Sequence, residues 1–162
     1  MLNIGDRVVY PMHGAGTVKD IIEREDNGEK KQFFILKMLF GNVDVTIPED
    51  SINQIGLRNV ISIEKVQELQ EVLMGKPERL TGSWNKRFNA NLARLKSGSI
   101  LEAAAVARNL ILQDRQKKIS SGERRLLDRA KQLIVSELVF VRNESPEASE
   151  EWLYKQLENN GF

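Results

Sequence analysis

Once, between Pro48 and Ser62, the hydrophobic pattern of this chain changes its period from two to 3.6. A chain that switches once places a sheet and a helical unit in succession instead of alternating them, which excludes a parallel βαβ architecture and points to α+β. On the strand side, Arg7-Val8-Val9-Tyr10 is short and β-branched, and Pro11 to Gly16 reads as a turn segment. Residues 17–24 lead to Asn27-Gly28, the strongest short hairpin signal because both residues tolerate positive φ. Residues 32–39 (QFFILKML) form a mostly apolar strand. Gly41-Asn42 then turns into Val43–Ile47, which alternates apolar and polar residues until Pro48, which cannot donate to a ladder. Four or five short strands in about fifty residues are too few for a sandwich, and a small Tudor- or SH3-like β-barrel is the economical solution.

On the helical side, Ile63, Val66, Leu69, Val72 and Leu73 share one face of a helix over 62–74, stopped by Gly75 and Pro77. Ser83 reads as the N-cap of a second helix carrying Trp84, Phe88, Leu92 and Leu95, closed by Gly98. Ser99 with Glu102 reads as a capping box opening a third helix over 100–117, apolar enough to be the central one. Ser120 with Glu123 is a second box, starting a helix that runs to about Val141, and Ser145-Pro146 begins the last. The expectation is a β-domain over residues 1–52 followed by a five-helix domain over 60–162.

Composition narrows the function. With no cysteine and one histidine there is no disulfide framework, thiolate zinc site or cysteine nucleophile. No apolar run reaches the roughly 18 residues of a membrane span, and the first twenty residues lack a signal-peptide core, so a cytoplasmic location is expected. The formal net charge of +1 conceals an uneven distribution. Residues 1–60 carry 7 basic and 9 acidic side chains, 61–75 carry 1 and 3, 76–131 carry 14 and 5, and 132–162 carry 2 and 6. A central +9 block between acidic flanks is the asymmetry that electrostatic steering needs, and a solvated helical surface would look the same.

Three places carry candidate chemistry. His13-Gly14-Ala15-Gly16 has glycines suited to an anion nest, but it lacks both the dinucleotide fingerprint and the P-loop Lys-Ser/Thr. A tight turn between strands is the simpler reading, and His13 has no evident nucleophile or orienting carboxylate to serve as a base. Trp84 sits in a first helical turn beside Lys86 and Arg87, where an aromatic can stack on or wedge against a base step while cations hold phosphates. Its spacing equally allows it to head the apolar stripe and be core. Arg124, Arg125, Asp128, Arg129 and Lys131 lie away from the apolar stripe of the fourth helix, whose Ser120-Ser121-Gly122 start leaves free N–H groups at the positive dipole end. No base-reading motif accompanies them, so their chemistry is sequence-tolerant backbone binding.

Taken together, the opening IGDRVVYPMHGAG of residues 4–16, the GNVDVTIP strand of 41–48, the SWNKRFNANL segment of 83–92 and the SSGERRLLDRAKQLI helix of 120–134 resemble the CarD/CdnL family of bacterial transcription regulators, in family order. The resemblance implies a Tudor-like N-terminal domain docked on the β subunit of RNA polymerase. It also implies a helical domain on promoter DNA at the upstream edge of the bubble, where a tryptophan wedged in the minor groove stabilises the open complex. Carried over by motif, Trp84 is that wedge, Lys86 and Arg87 lie on the DNA-facing helix entrance, Arg124 matches a backbone-contacting basic residue, and Arg24 matches a polymerase-interface arginine. Thr46 stands where some members have a second interface arginine, and Asn89 where they have a lysine near DNA. A non-enzymatic monomer without metal, cofactor or membrane partner is expected. A nucleoid-associated protein binding duplex without polymerase is the alternative.

Overall fold

The computed structural model describes residues 2–162. Strands β1 (Arg7–Tyr10), β2 (Gly14–Asp26), β3 (Glu29–Met38), β4 (Asp44–Pro48) and β5 (Arg58–Asn59) form one antiparallel sheet in the order β4-β3-β2-β1-β5. Asn27 and Gly28 take φ of 51° and 80°, the left-handed pair of a two-residue hairpin, and set Asp26 opposite Glu29. Gly41 and Asn42 are also left-handed, with φ of 86° and 50°, within the longer connection of residues 39–43 between β3 and β4. A bulge at Lys19, where Val18 faces Leu36 and Asp20 faces Ile35, resets which side chains point inward along β2.

The turn before β2 is shorter than the sequence indicates. It occupies residues 11–13, and Gly14 to Gly16 already belong to the strand. Gly16 is there because the strand passes so close to β3 that a Cβ would stand 2.7 Å from the Lys37 carbonyl oxygen. A four-residue helix α1 (Ile52–Ile55) and the two-residue β5 were not foreseen. Both are fixed by packing, since Ile52, Ile55 and Leu57 close over the sheet core of Val8, Val18, Phe34, Leu36, Met38 and Ile47. The molecule is α+β, and among the described residues the short helix α1 precedes five further α-helices after residue 60.

The remaining helices are α2 (Val66–Met74), α3 (Trp84–Lys96), α4 (Ile100–Gln116), α5 (Ser121–Arg142) and α6 (Pro146–Glu158). Buried on nearly every face, α4 is central, as its apolar composition predicts. Ser83 caps α3 by accepting from the Lys86 N–H at 3.2 Å, Ser120 and Glu123 form the full capping box of α5, and Pro146 occupies the first turn of α6 behind Ser145. Ser99 makes only half of its expected box: its Oγ accepts from Glu102 N–H, but the Glu102 carboxylate accepts from Arg94 Nε at 2.6 Å instead.

Sheet and helices meet along α5. Glu137, 2% exposed, accepts both Arg58 guanidinium nitrogens at 2.7 and 2.8 Å and the Ile61 N–H at 2.7 Å, while Arg58 Nε donates to the Gly98 carbonyl. Beside it the Ala15 N–H donates to Ser136 Oγ at 3.0 Å, and Arg7 donates to the Phe140 carbonyl. Gly14 has φ of 97° and a virtual Cβ 2.9 Å from Ser136 Oγ, so both conformation and clearance require glycine.

Candidate functional site

Trp84 is no core residue: it is 40% exposed. Its ring stacks on Phe88, with centroids 4.9 Å apart and planes 19° apart, and its indole N–H donates to Ser120 Oγ at 3.2 Å. Gly122 forms the floor, since a Cβ there would lie 3.2 Å from Trp84 Cζ2 and 3.5 Å from Phe88. The rest of the α3 stripe grades into the bundle, through half-buried Phe88 and Leu92 to buried Leu95. Two of the indole's degrees of freedom are therefore held by the start of α5, while one face of the ring stays open. Burial pushes the Glu123 carboxyl up, but donation from the Ser120 N–H and O–H outweighs it and holds the group below the usual carboxylate range. The ionised capping box is thus the rigid seat under Trp84.

Cations surround this seat unequally. Lys86 is exposed, whereas Arg87 is half-buried and donates to the Gly82 carbonyl at 2.7 Å. Arg124 is ion-paired with Asp114 at 2.8 Å, and Asp114 also accepts from the Ile119 N–H. That second bond, followed by Arg124, holds the Asp114 carboxyl below its ordinary value. Asp114 is a residue that sequence reasoning missed, although a carboxylate ten residues before an arginine across a helix break gave little signal. Arg125 is exposed but lies on another side of α5, in a cleft with Phe40, Arg129 and Glu150, so the structure does not bring it to Trp84. Lys117 and Lys118 are exposed on the connection into α5. Asn89 is exposed on α3.

The other predicted positions lie on the sheet. Opposite residues share a face, so Asp20, Ile35 and Thr46 lie together, followed by Ile22, Phe33 and Pro48, then Arg24 and Lys31. Arg24 is exposed and its guanidinium lies 5.8 Å from the Phe33 ring centroid, a cation–π contact. Thr46 is exposed two strands away. Between them Ile22, Phe33 and Ile35 form a half-buried apolar stripe on the face opposite the core. At its other end this same face is covered by α5, over Ala15. The stripe was legible only as a strand apolar on both sides, which is why QFFILKML does not alternate.

His13 stands edge-on to Tyr10 with ring centroids 4.6 Å apart, and its N–H closes the turn onto the Tyr10 carbonyl. Among the described residues no cluster of three His, Cys, Asp or Glu side chains could hold a metal ion, and no helix is long and apolar enough to cross a membrane.

Both halves of the chain, the sheet with its open apolar face and the bundle with its aromatic and cationic tip, are similar in sequence to known proteins. Residues 2–61 match the CarD-like/TRCF RID domain, and residues 68–154 match the CarD C-terminal domain. A putative transcription factor, YdeB of Bacillus subtilis (strain 168), is 34% identical over 143 residues, covering 88% of this chain and 93% of that protein. The solution NMR structure of the 72-residue N-terminal domain of Myxococcus xanthus CarD matches at 36% sequence identity over 36% of this chain and 79% of that chain, with a TM-score of 0.32. The sequence matches define a transcription regulator with an N-terminal domain of the polymerase-interacting type. The chain belongs to the CarD/CdnL family.

Proposed function

We propose that residues 1–52, with the segment packed against them, dock on the RNA polymerase β subunit, and that residues 60–162 hold promoter DNA at the upstream edge of the bubble. The protein acts there without enzymatic chemistry, as a cytoplasmic monomer, to stabilise the open complex. The docking surface is the apolar stripe of Ile22, Phe33 and Ile35 with Arg24 and Thr46 at its margins; aromatic and aliphatic groups rimmed by cations suit a protein partner. Trp84 is the wedge, with Lys86, Arg87 and Arg124 on the phosphates and Arg125 at a more distant contact.

The observation that carries this reading is the half-exposed, pre-seated indole. A rigid aromatic that enters a distorted base step stabilises the open state only by its differential affinity for that state, and about 1.4 kcal/mol of difference lengthens the lifetime about tenfold. A segment whose fourteen cations are offset by five carboxylates to a net +9 binds duplex weakly alone at physiological salt, so the polymerase tether supplies the effective concentration.

The test measures open-complex lifetime with purified bacterial holoenzyme. The protein is expected to lengthen it, and Trp84→Ala to abolish the effect while the thermal midpoint of the variant stays close to that of the parent. A variant whose bundle melts would make Trp84 a packing residue and overturn the wedge.

A further inference from the structure

Gly122 is the second residue of α5 and its φ is not positive, so the backbone there gives no reason for glycine. Glycine is a poor helix former, and an alanine at such a place restricts the unfolded chain and favours the helix. What requires the missing side chain is Trp84. A Cβ on Gly122 would stand 3.2 Å from Trp84 Cζ2, 3.3 Å from Trp84 Cη2 and 3.5 Å from Phe88 Cε2. Carbon atoms pack best at about 3.5–4.0 Å, so the two indole contacts are too close. These three nearest atoms all belong to the stacked aromatic pair, and none is backbone.

The stack itself comes from α3, where Trp84 and Phe88 are one helical turn apart. Where the indole lies along that stack is set by α5: its N–H donates to Ser120 Oγ, and Cζ2 and Cη2 of the same edge lie against Gly122. Phe88 is packed against the bundle core, whereas Trp84 is 40% exposed. A side chain added at 122 is therefore relieved by moving the indole outward, off Ser120, while the bundle beneath keeps its packing.

We propose, on the reading of Trp84 as the group that enters promoter DNA, that Gly122 is a positioning residue for that wedge. With no side chain at the second position of α5, the indole lies with its N–H on Ser120 and one face open to a base step. Stability and function then pull in opposite directions at this residue, because alanine suits the helix and glycine suits the ring.

The test compares Gly122→Ala and Gly122→Val, in the whole chain, with the parent and with Trp84→Ala. In heteronuclear NMR spectra the Trp84 indole N–H signal, assigned by its loss in Trp84→Ala, is expected to move in Gly122→Ala and further in Gly122→Val, while that of Trp152 on α6 stays in place. The thermal midpoint of Gly122→Ala is expected to equal or exceed that of the parent. Open-complex lifetime with bacterial holoenzyme is expected to fall about three- to tenfold from the parental value in Gly122→Val, as the ring must return from an off-rotamer position, and by less in Gly122→Ala. A lowered midpoint with an unmoved indole signal would make Gly122 a packing residue and overturn the proposal. So would a parental lifetime in both variants when Trp84→Ala shortens it. A lifetime that Trp84→Ala leaves unchanged overturns the wedge instead, and the indole signal then decides by itself whether Gly122 places the ring.

Discussion

The sheet and the helical bundle solve the same folding problem with very different resources. Among the described residues the bundle's core cluster holds nineteen buried hydrophobic side chains, whereas the cluster inside the sheet holds six. A sheet with so small a core is marginal by itself, and its second face is half apolar without a cover at one end. The difference shows what α5 is for: it covers the near end of that face at Ala15 and ties the sheet down through Ser136 and Glu137. The bundle contributes stability, and the sheet is left free to expose apolar surface to a partner.

The strongest way to break this comparison is at Glu137. Glu137→Ala leaves Arg58 without its carboxylate and the Ile61 N–H without an acceptor, a loss of about 3 kcal/mol for one partner of a buried pair. The expected outcome in denaturant is loss of the single transition, with strand signals melting before helix signals. Coincident transitions at the parental midpoint would show that the sheet needs no support from α5.

A second experiment separates the two exposed surfaces. Phe33→Ser combined with Arg24→Glu should abolish co-purification with a β-subunit fragment while shifting the unfolding free energy by no more than about 1 kcal/mol, since both side chains lie on the open face. Trp84→Ala should do the opposite, sparing polymerase binding and removing the effect on the promoter. Retained co-purification in the sheet variant would move the docking surface elsewhere.

Local chemistry was legible and long-range chemistry was not. Asn27-Gly28, Ser83, Ser120 with Glu123 and Pro146 could be read directly because each satisfies its own backbone within three or four residues. Gly14 to Gly16 read as a turn because glycine's usual reason is positive φ, whereas Gly16 answers to a carbonyl 21 positions away in sequence, on Lys37. The half-made box at Ser99 failed because Arg94 competes for Glu102, and β5 escaped notice because two residues carry no period. Trp84 illustrates the same limit at the site. Its 3.6 spacing is shared with the core stripe, and only the position of Ser120 and Gly122, contributed by another helix, leaves its ring open.

The smallest effect sharpens the electrostatic half of the comparison. Asp114 lies half-buried in the last turn of α4, and its carboxyl is held below the ordinary value first by the Ile119 N–H and then by Arg124. A depressed carboxylate pKa contributes stability that is present above the unfolded value, about 3.9, and is lost as pH falls through the lower folded value. The pair therefore costs nothing at neutral pH and loosens only in acid. Asp114→Asn should flatten that acid limb slightly and shift the neutral midpoint very little, as a single ion pair near the surface does. Its larger consequence is at Arg124, which loses its neutralising partner. For DNA held by the polymerase-bound protein, the slope of log affinity against log salt should steepen by about 0.9, one added phosphate contact. An unchanged slope would mean that Arg124 serves the fold of the α5 entrance and never reaches the backbone.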